Sequence, residues 1–506
     1  LAAILAACVA IAPAATSAGG QKPPGGSDGA KLRNALTLKG MMRHQQALQR
    51  IAEDNGGIRT AGTSGYDASV DYVVAQLTKA GYKPVVQPFD FPFFQETAPP
   101  VFEQTAPNPT TYVDQEDFGT MDYSGSGNVT AAVQEVNNNQ FPPGPDPSSS
   151  SAGCEAANFT GFTPGNVALI QRGTCTFHDK ALNAQNAGAA AVIIFNEGQP
   201  GRTDTLFGTL GSPDFTIPVI GISFALGQEF HTLGNVMVHI ATETVSETRP
   251  AANVLADTRG GNPNRVVVQG SHLDSVIAGP GINDNGSGSS YNLESAIQVA
   301  KQKIKPKNTI RFAFWGAEEE GLLGSQFYVD SLSDEDFAKI LLNLNLDMIA
   351  SPNFVRFVYD GDGSDTGTAG PPGSAEIEQV YLDYFDSQRL ATEATAFDGR
   401  SDYGPFIDRG APAGGLFSGA EGVKTLEQAD IFGGVVGEAY DRCYHQACDN
   451  MSNLNQTSFV ELGDAAVTAL AVFADWKGPI AAPAAATLRA AGAARQSDYA
   501  GSRLRQ

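Results

Sequence analysis

The chain has 506 residues, a net charge of −23, and 42% apolar composition. That length exceeds one ordinary domain, and that apolar share excludes a disordered chain. So acidic a surface repels phosphate backbones and anionic bilayers, which argues against nucleic acid or an anionic membrane as partner.

Residues 1–19 (LAAILAACVAIAPAATSAG) are apolar and then rich in small residues, the pattern of a secretory signal peptide. Leu5-Ala6-Ala7-Cys8 also matches a lipoprotein cleavage box, so a periplasmic or lipid-anchored form is the alternative to a secreted one. No later stretch has 18 uninterrupted apolar residues, so no transmembrane segment is expected. Residues 20–30 read as a linker. A helix is predicted from Leu38 to about Glu53, with His44 on its solvated side, and a second runs through DASVDYVVAQLTKAGY until Gly81 stops it. VVQPFDFPFF is a strand; residues 95–125 read as irregular crossing structure.

From about residue 127 to 248 the pattern is a small β-rich module with one or two helices. Its strands are VTAAVQEV, NVALIQRG, AAAVIIFNE, FTIPVIGIS and VMVHIATETV. From Ala252 to about residue 476 strands and helices alternate: RVVVQGSH, a helix from SGSSYNLE, NTIRFAFWG, a helix from EEEGLLGS, LLNLNLDMIA, FVRFVYD and two more helices. Alternation of this kind predicts an α/β domain with a mostly parallel central sheet and helices on both faces, and ligands gather at the carboxyl ends of such strands. Residues 477–506, Ala-rich with five basic residues and one acid, read as a low-complexity tail.

Apart from Cys8 there are four cysteines, an even number that suggests two disulfides in an exported chain. Nearest neighbours would give Cys154–Cys175 and Cys443–Cys448, although spacing alone does not fix connectivity. Of six histidines, His178, His231 and His239 fall in the β-rich module, away from any acid cluster. His272 and His445 lie in the α/β domain beside acids. His272 ends the strand RVVVQG, and Asp274 is placed to accept its other ring N–H. A glycine-rich loop then delivers Asp284, a second strand runs into Glu318-Glu319-Glu320, and a third ends at Asp347. A lone strand-end acid often only caps the next helix. Acids and histidines ending three strands and two loops of one sheet point instead to a metal site. Three acids and two imidazoles exceed one tetrahedral zinc but suit two Zn2+ ions sharing one carboxylate, with Co2+ or Mn2+ as substitutes. One of Glu318 and Glu319 is then left over as a general base.

The segments GSHLDS, GPGINDNGSGS, RFAFWGAEEEGLLGS, LNLDMIAS, DGRSDYGPF and RCYHQACD resemble, in order and spacing, the exported two-zinc aminopeptidases of the aminopeptidase S and aminopeptidase Y type. NVALIQRGTCTFHDKALNAQNAGAAAVIIFNE resembles a protease-associated (PA) domain. The resemblance implies that His272 and Asp347 bind one zinc, Glu319 and His445 the other, and that Asp284 bridges them. It implies Glu318 as the proton carrier, Tyr444 as oxyanion stabiliser and Arg400 as part of the substrate site. It implies a cis peptide after the bridging residue, where the family usually has a second Asp and this chain has Asn285. The calcium site of some relatives has no matching acids here. The expected function is hydrolysis of N-terminal residues from peptides with a free N-terminus, by a monomer. An acylase or carboxypeptidase of the wider two-zinc clan, a metal-free receptor-like protein and a glutaminyl cyclase-like transferase are the rivals. Five N-x-[ST] sequons occur, and a glycan on Asn285 would block the site.

Overall fold

The computed structural model describes residues 25–480. The expected signal segment, Cys8 and nearly all of the C-terminal tail lie outside those residues. Helices Gly26–Ala35, Leu38–Asp54 and Ser64–Ala80 come first. The first occupies much of the stretch that composition assigns to a linker, because Leu32 and Leu36 are buried in the core. Gly81, at φ 98°, ends the third helix as the sequence predicts.

His44 corrects the sequence reading. It is fully buried, not solvated, with Nδ1 2.7 Å from Tyr72 Oη and Nε2 3.0 Å from Glu294 Oε2. The helix packs that face against Gly286–Lys301, and an acid partner makes burial of the imidazole tolerable.

One continuous sheet runs through the molecule. In the larger domain the strands lie in the order Glu393–Thr395, Phe357–Tyr359, Ala413–Phe417, Ile340–Leu346, Asn262–His272, Asn308–Trp315 and Met237–Asp257. The middle four, from Ala413–Phe417 to Asn308–Trp315, are mutually parallel. Alternate residues face opposite ways, as a strand requires. Val267, Phe312 and Phe314 join the core beneath helices Gly286–Lys301 and Gln456–Ala474, while Val266, Val268, Ala313 and Trp315 pack with Tyr328 and Phe406 on the other face. Helix Gln456–Ala474 is long and apolar enough to cross a membrane by length and composition, but 72% of its apolar window is buried inside the domain.

Met237–Asp257 pairs along most of its length with Val85–Ala106, forming a long antiparallel ribbon. One end of the ribbon joins Asn308–Trp315 and the other joins Gly127–Glu135 of the β-rich module. The module continues through the parallel strands Val167–Gln171, Ala191–Phe195 and Val219–Ile222. So residues 95–106 are strand rather than irregular. Pro99 and Pro100 fall where the pairing skips from Ala98 to Val101, a bulge in which no ladder N–H is required.

Candidate metal centre

Three parallel strands end side by side at one edge of the sheet. Asn262–His272 ends in His272, Asn308–Trp315 runs through Gly316 and Ala317 into Glu318 and Glu319, and Ile340–Leu346 is followed by Asp347. Asp284 enters from the loop before helix Gly286–Lys301, and His445 from a loop of its own. Glu318 and Glu319 lie in the turn ahead of the helix Leu323–Ser331, not inside a helix as the sequence pattern suggests. Ala317, Met348 and His445 adopt φ of 53°, 49° and 56°. Left-handed backbone at non-glycine residues costs about 1–3 kcal/mol each, and all three adjoin or belong to this cluster.

The Asp284 carboxylate is divided between two histidines. Oδ1 is 3.3 Å from His272 Nε2 and Oδ2 is 3.2 Å from His445 Nε2. Asp347 Oδ1 is also 3.3 Å from His272 Nε2, and Glu319 Oε2 is 3.1 Å from His445 Nε2. Glu318 Oε2 stands farther off, 3.8 Å from His272 Nε2. The ligand atoms of His272, Asp284 and Asp347, and those of Asp284, Glu319 and His445, form two compact groups. A single imidazole nitrogen carries one proton or one lone pair and cannot satisfy three carboxylate oxygens. His272 Nε2 and Asp347 Oδ1 are buried without a well-formed hydrogen bond. A divalent cation in each group would resolve both facts, so the residues fit two metal ions.

The electrostatics of the protein chain alone agree. Burial pushes Glu318 well above the usual carboxylate range and Glu319 up to about 7, with Asp284 adding to the rise at Glu319. Burial disfavours the His445 cation, yet Glu319 and Asp284 outweigh it and raise the imidazole to about 10. His272 is raised in the same sense by Glu318 and Asp347 against its own burial. The pocket thus gathers protons on the same groups that fit two cations.

The supporting residues were only partly legible. Asp274 Oδ1 lies 3.5 Å from His272 Nδ1, and its two oxygens accept the N–H groups of Glu318 (3.3 Å) and Glu319 (3.2 Å). It therefore orients the histidine and the glutamate turn together. Asp347 Oδ2 accepts from Ser401 Oγ at 2.7 Å. Sequence reasoning missed Arg59, which sits fully buried in a glycine-rich loop. Its guanidinium donates to the carbonyls of Leu273, Pro280 (2.9 Å) and Gly281 (2.6 Å), clamping the loop between His272 and Asp284. It also missed Asp402, fully buried, which burial raises to about 8, and Asp449, whose oxygens meet the backbone of Asn283 and Asp284. A buried charge in a polar loop leaves no periodic signal; only its place inside DGRSDYGPF or RCYHQACD marks it.

The Asp284–Asn285 peptide is cis. Asn285 does work that a carboxylate cannot: Nδ2 donates to the Leu346 carbonyl (2.9 Å), while Oδ1 accepts from Gly288 N (2.9 Å) and Met348 N (3.2 Å). Its side chain is wholly buried, so this sequon cannot carry a glycan. Arg400 lies on the rim, paired with Glu421 at 2.8 Å and donating to Tyr444 Oη at 3.3 Å. The Tyr444 ring stacks on His445, with centroids 3.8 Å apart. Disulfides join Cys154 to Cys175 and Cys443 to Cys448.

The model of peptidase family M28 matches residues 253–470, and that of the PA domain matches residues 136–230. An aminopeptidase of Pseudomonas aeruginosa (strain UCBPP-PA14) is 47% identical over 439 residues, covering 86% of this chain and 80% of its own. A probable leucine aminopeptidase 2 of Aspergillus fumigatus is 42% identical over 422 residues, covering 82% and 79%. Among solved structures, an aminopeptidase from Aneurinibacillus sp. strain AM-1 superposes with a TM-score of 0.63 at 25% identity, over 90% of this chain and 98% of its own. A zinc aminopeptidase from Bacillus subtilis shares the fold, with a TM-score of 0.54 at 23% identity over 86% of this chain and 94% of its own. Identity of this extent, over most of both chains, establishes that the chain belongs to peptidase family M28: it is a metallopeptidase of the aminopeptidase kind, carrying a PA domain.

Proposed function

We propose that this chain is a secreted zinc aminopeptidase that hydrolyses the first peptide bond of substrates with a free N-terminus. The observation that carries the reading is the division of Asp284 between His272 and His445, at 3.3 and 3.2 Å. In it, His272 and Asp347 would hold one zinc, Glu319 and His445 would hold the other, and Asp284 would serve both. Two zinc ions held there would polarise the scissile carbonyl and acidify a water molecule, the two tasks that peptide hydrolysis at neutral pH demands.

The chain's own groups do the rest. Glu318 lies beside both groups and is kept basic by its burial, so its carboxylate takes the proton of the attacking water. It then passes that proton to the leaving amine nitrogen. Tyr444 Oη, held by Arg400 Nη2, donates a hydrogen bond to the oxyanion that develops at the carbonyl oxygen as water adds to the carbon. The oxygens of these buried carboxylates would accept hydrogen bonds from a substrate ammonium, a charged donor that an acylated N-terminus lacks. Export is supported by two disulfides, which persist in oxidising compartments.

The test is release of p-nitroaniline from leucine p-nitroanilide and from its N-acetylated twin, with chelator and with zinc restored. Cleavage of the free-amine form alone, abolished by chelator and recovered with zinc, is expected. Preference for the acetylated twin would replace this reading with that of an acylase.

A further inference from the structure

Asp449 holds the backbone of the glycine loop that carries Asp284. It is buried at 2% exposure and lies four residues beyond His445. Its Oδ1 accepts the N–H of Asn283 at 2.8 Å, its Oδ2 accepts the N–H of Asp284 at 2.9 Å, and its backbone carbonyl accepts the N–H of Ile282 at 3.1 Å. Three consecutive backbone donors leading up to and including Asp284 thus end on this one residue. Asp449 is itself held: its N–H donates to the Gln446 carbonyl at 3.0 Å, and Asn453 Nδ2 donates to Oδ1 at 3.0 Å. The same Asn453 nitrogen lies 2.9 Å from each oxygen of Asp441.

We infer that Asp449 is a positioning residue of the metal centre, fixing the Asp284 carboxylate relative to the loop that carries His445. Two oxygens on two successive N–H groups fix the rotation of the Asp284 backbone. That rotation decides whether Asp284 can turn one oxygen to each histidine. The link joins the glycine loop to the His445 loop, which come from chain segments 165 residues apart. An amide cannot replace it, because one of its two ends is an NH2 that would face a backbone N–H, donor against donor. Asp449 acts through Asp284 and does not touch the reacting atoms. The inference rests on the reading of Asp284 as the shared ligand.

The test compares wild type with Asp449→Asn, each freed of metal and titrated with Co2+ and with Zn2+ against a chromophoric chelator. Wild type is expected to take two ions and to show the magnetic signature of a coupled cobalt pair. Asp449→Asn is expected to bind its second ion about 10- to 100-fold more weakly, the range seen when a ligand's support is removed. It should also lose the coupled signature, with kcat falling and KM held. Asp441→Asn, whose parent residue ties the Asn283 side chain (2.6 Å) to Cys443 N (2.8 Å) but makes no bond to the Asp284 backbone, separates control of that backbone from joining of the two loops: it should melt earlier yet keep the coupled pair. If Asp449→Asn does not fold, Asn453→Ala, which frees Asp449 without touching it, should weaken the second ion in the same direction. Wild-type affinities and coupling in the variants would overturn the inference alone. A wild-type protein that takes up only one ion would overturn the shared-ligand reading and the inference with it.

Discussion

Glu294 Oε2 lies 3.0 Å from His44 Nε2, in a pair that water does not reach, and this contact fastens the N-terminal helices to the helix that starts beside the metal centre. Arg43 and Gln298 bond the same carboxylate, at 3.0 and 2.7 Å. Removing His44 leaves a buried acid with fewer partners. His44→Ala should lower unfolding stability by about 1–3 kcal/mol, read by denaturant titration, while leaving metal content unchanged. The bonds from His44, Gln298 and Arg43 outweigh burial and hold the Glu294 carboxyl below its usual value. A depressed acid contributes stability above its unfolded pKa and loses it as pH falls through the lower, folded one. Wild type should therefore lose more stability than His44→Ala as pH drops below about 4.5.

Glu318 is the group whose loss should separate binding from turnover. It stands farther from the imidazoles than the other carboxylates, yet is as well buried. Glu318→Ala should retain both metal ions and lose about 10²- to 10⁴-fold in kcat, the range for removal of a general base. Full activity in a metal-loaded Glu318→Ala protein would remove Glu318 from the mechanism.

Metal uptake should be coupled to protons. In the chain without metal, Glu319 is pushed up to about 7 and His445 up to about 10. Below pH 7 both therefore carry protons that an entering cation must expel. Affinity should rise about tenfold per pH unit for each proton displaced, steepest below pH 7 where both groups are protonated, measured by chelator competition. The stability of the metal-free protein runs the other way. A raised carboxyl and a raised imidazole both make the folded state hold protons more tightly than the unfolded chain. That contribution is present in full below pH 4.5 for Glu319 and 6.5 for His445, and fades as pH climbs through 7 and then 10. Thermal melts of chelated protein from pH 5 to 10 should fall along that course.

The site was legible where chemistry coincides with a change of pattern. His272, Glu319 and Asp347 each follow a strand-like stretch rich in apolar residues, so a strand end and a polar ligand are read off the same few letters. What escaped lacked such a boundary. Ala413–Phe417 is a central parallel strand written AGGLF, with no β-branched residue to announce it. Its glycines are there because neighbours press close: a Cβ on Gly415 would lie 2.1 Å from the Asn345 carbonyl oxygen. Arg59 and His44 escaped for a different reason. Single polar residues in a loop and on a helix look solvated, and only long-range partners 214 and 250 residues away make their burial sensible. The prolines after residue 95 read as the end of a strand, while the pairing absorbs them in a bulge.

The two disulfides should fail in different ways. Cys154–Cys175 spans 21 residues inside the PA domain, remote in sequence from every metal-centre residue, and Cys443–Cys448 spans 5 around Tyr444 and His445. On chain-entropy grounds the longer loop contributes about 3 kcal/mol and the shorter about 2. The functional consequences run opposite to that ranking. Cys154→Ser with Cys175→Ser should lower the melting temperature and leave the kcat of folded protein within about twofold, since no ligand depends on that staple. Cys443→Ser with Cys448→Ser frees the loop on which His445 holds φ at 56°, a conformation that must be imposed from outside. It should cost less in melting temperature but about 10-fold or more in metal affinity at the Glu319–His445 position. Equal losses of stability and of metal in both variants would show that the shorter staple supports the fold in general and not the His445 loop in particular.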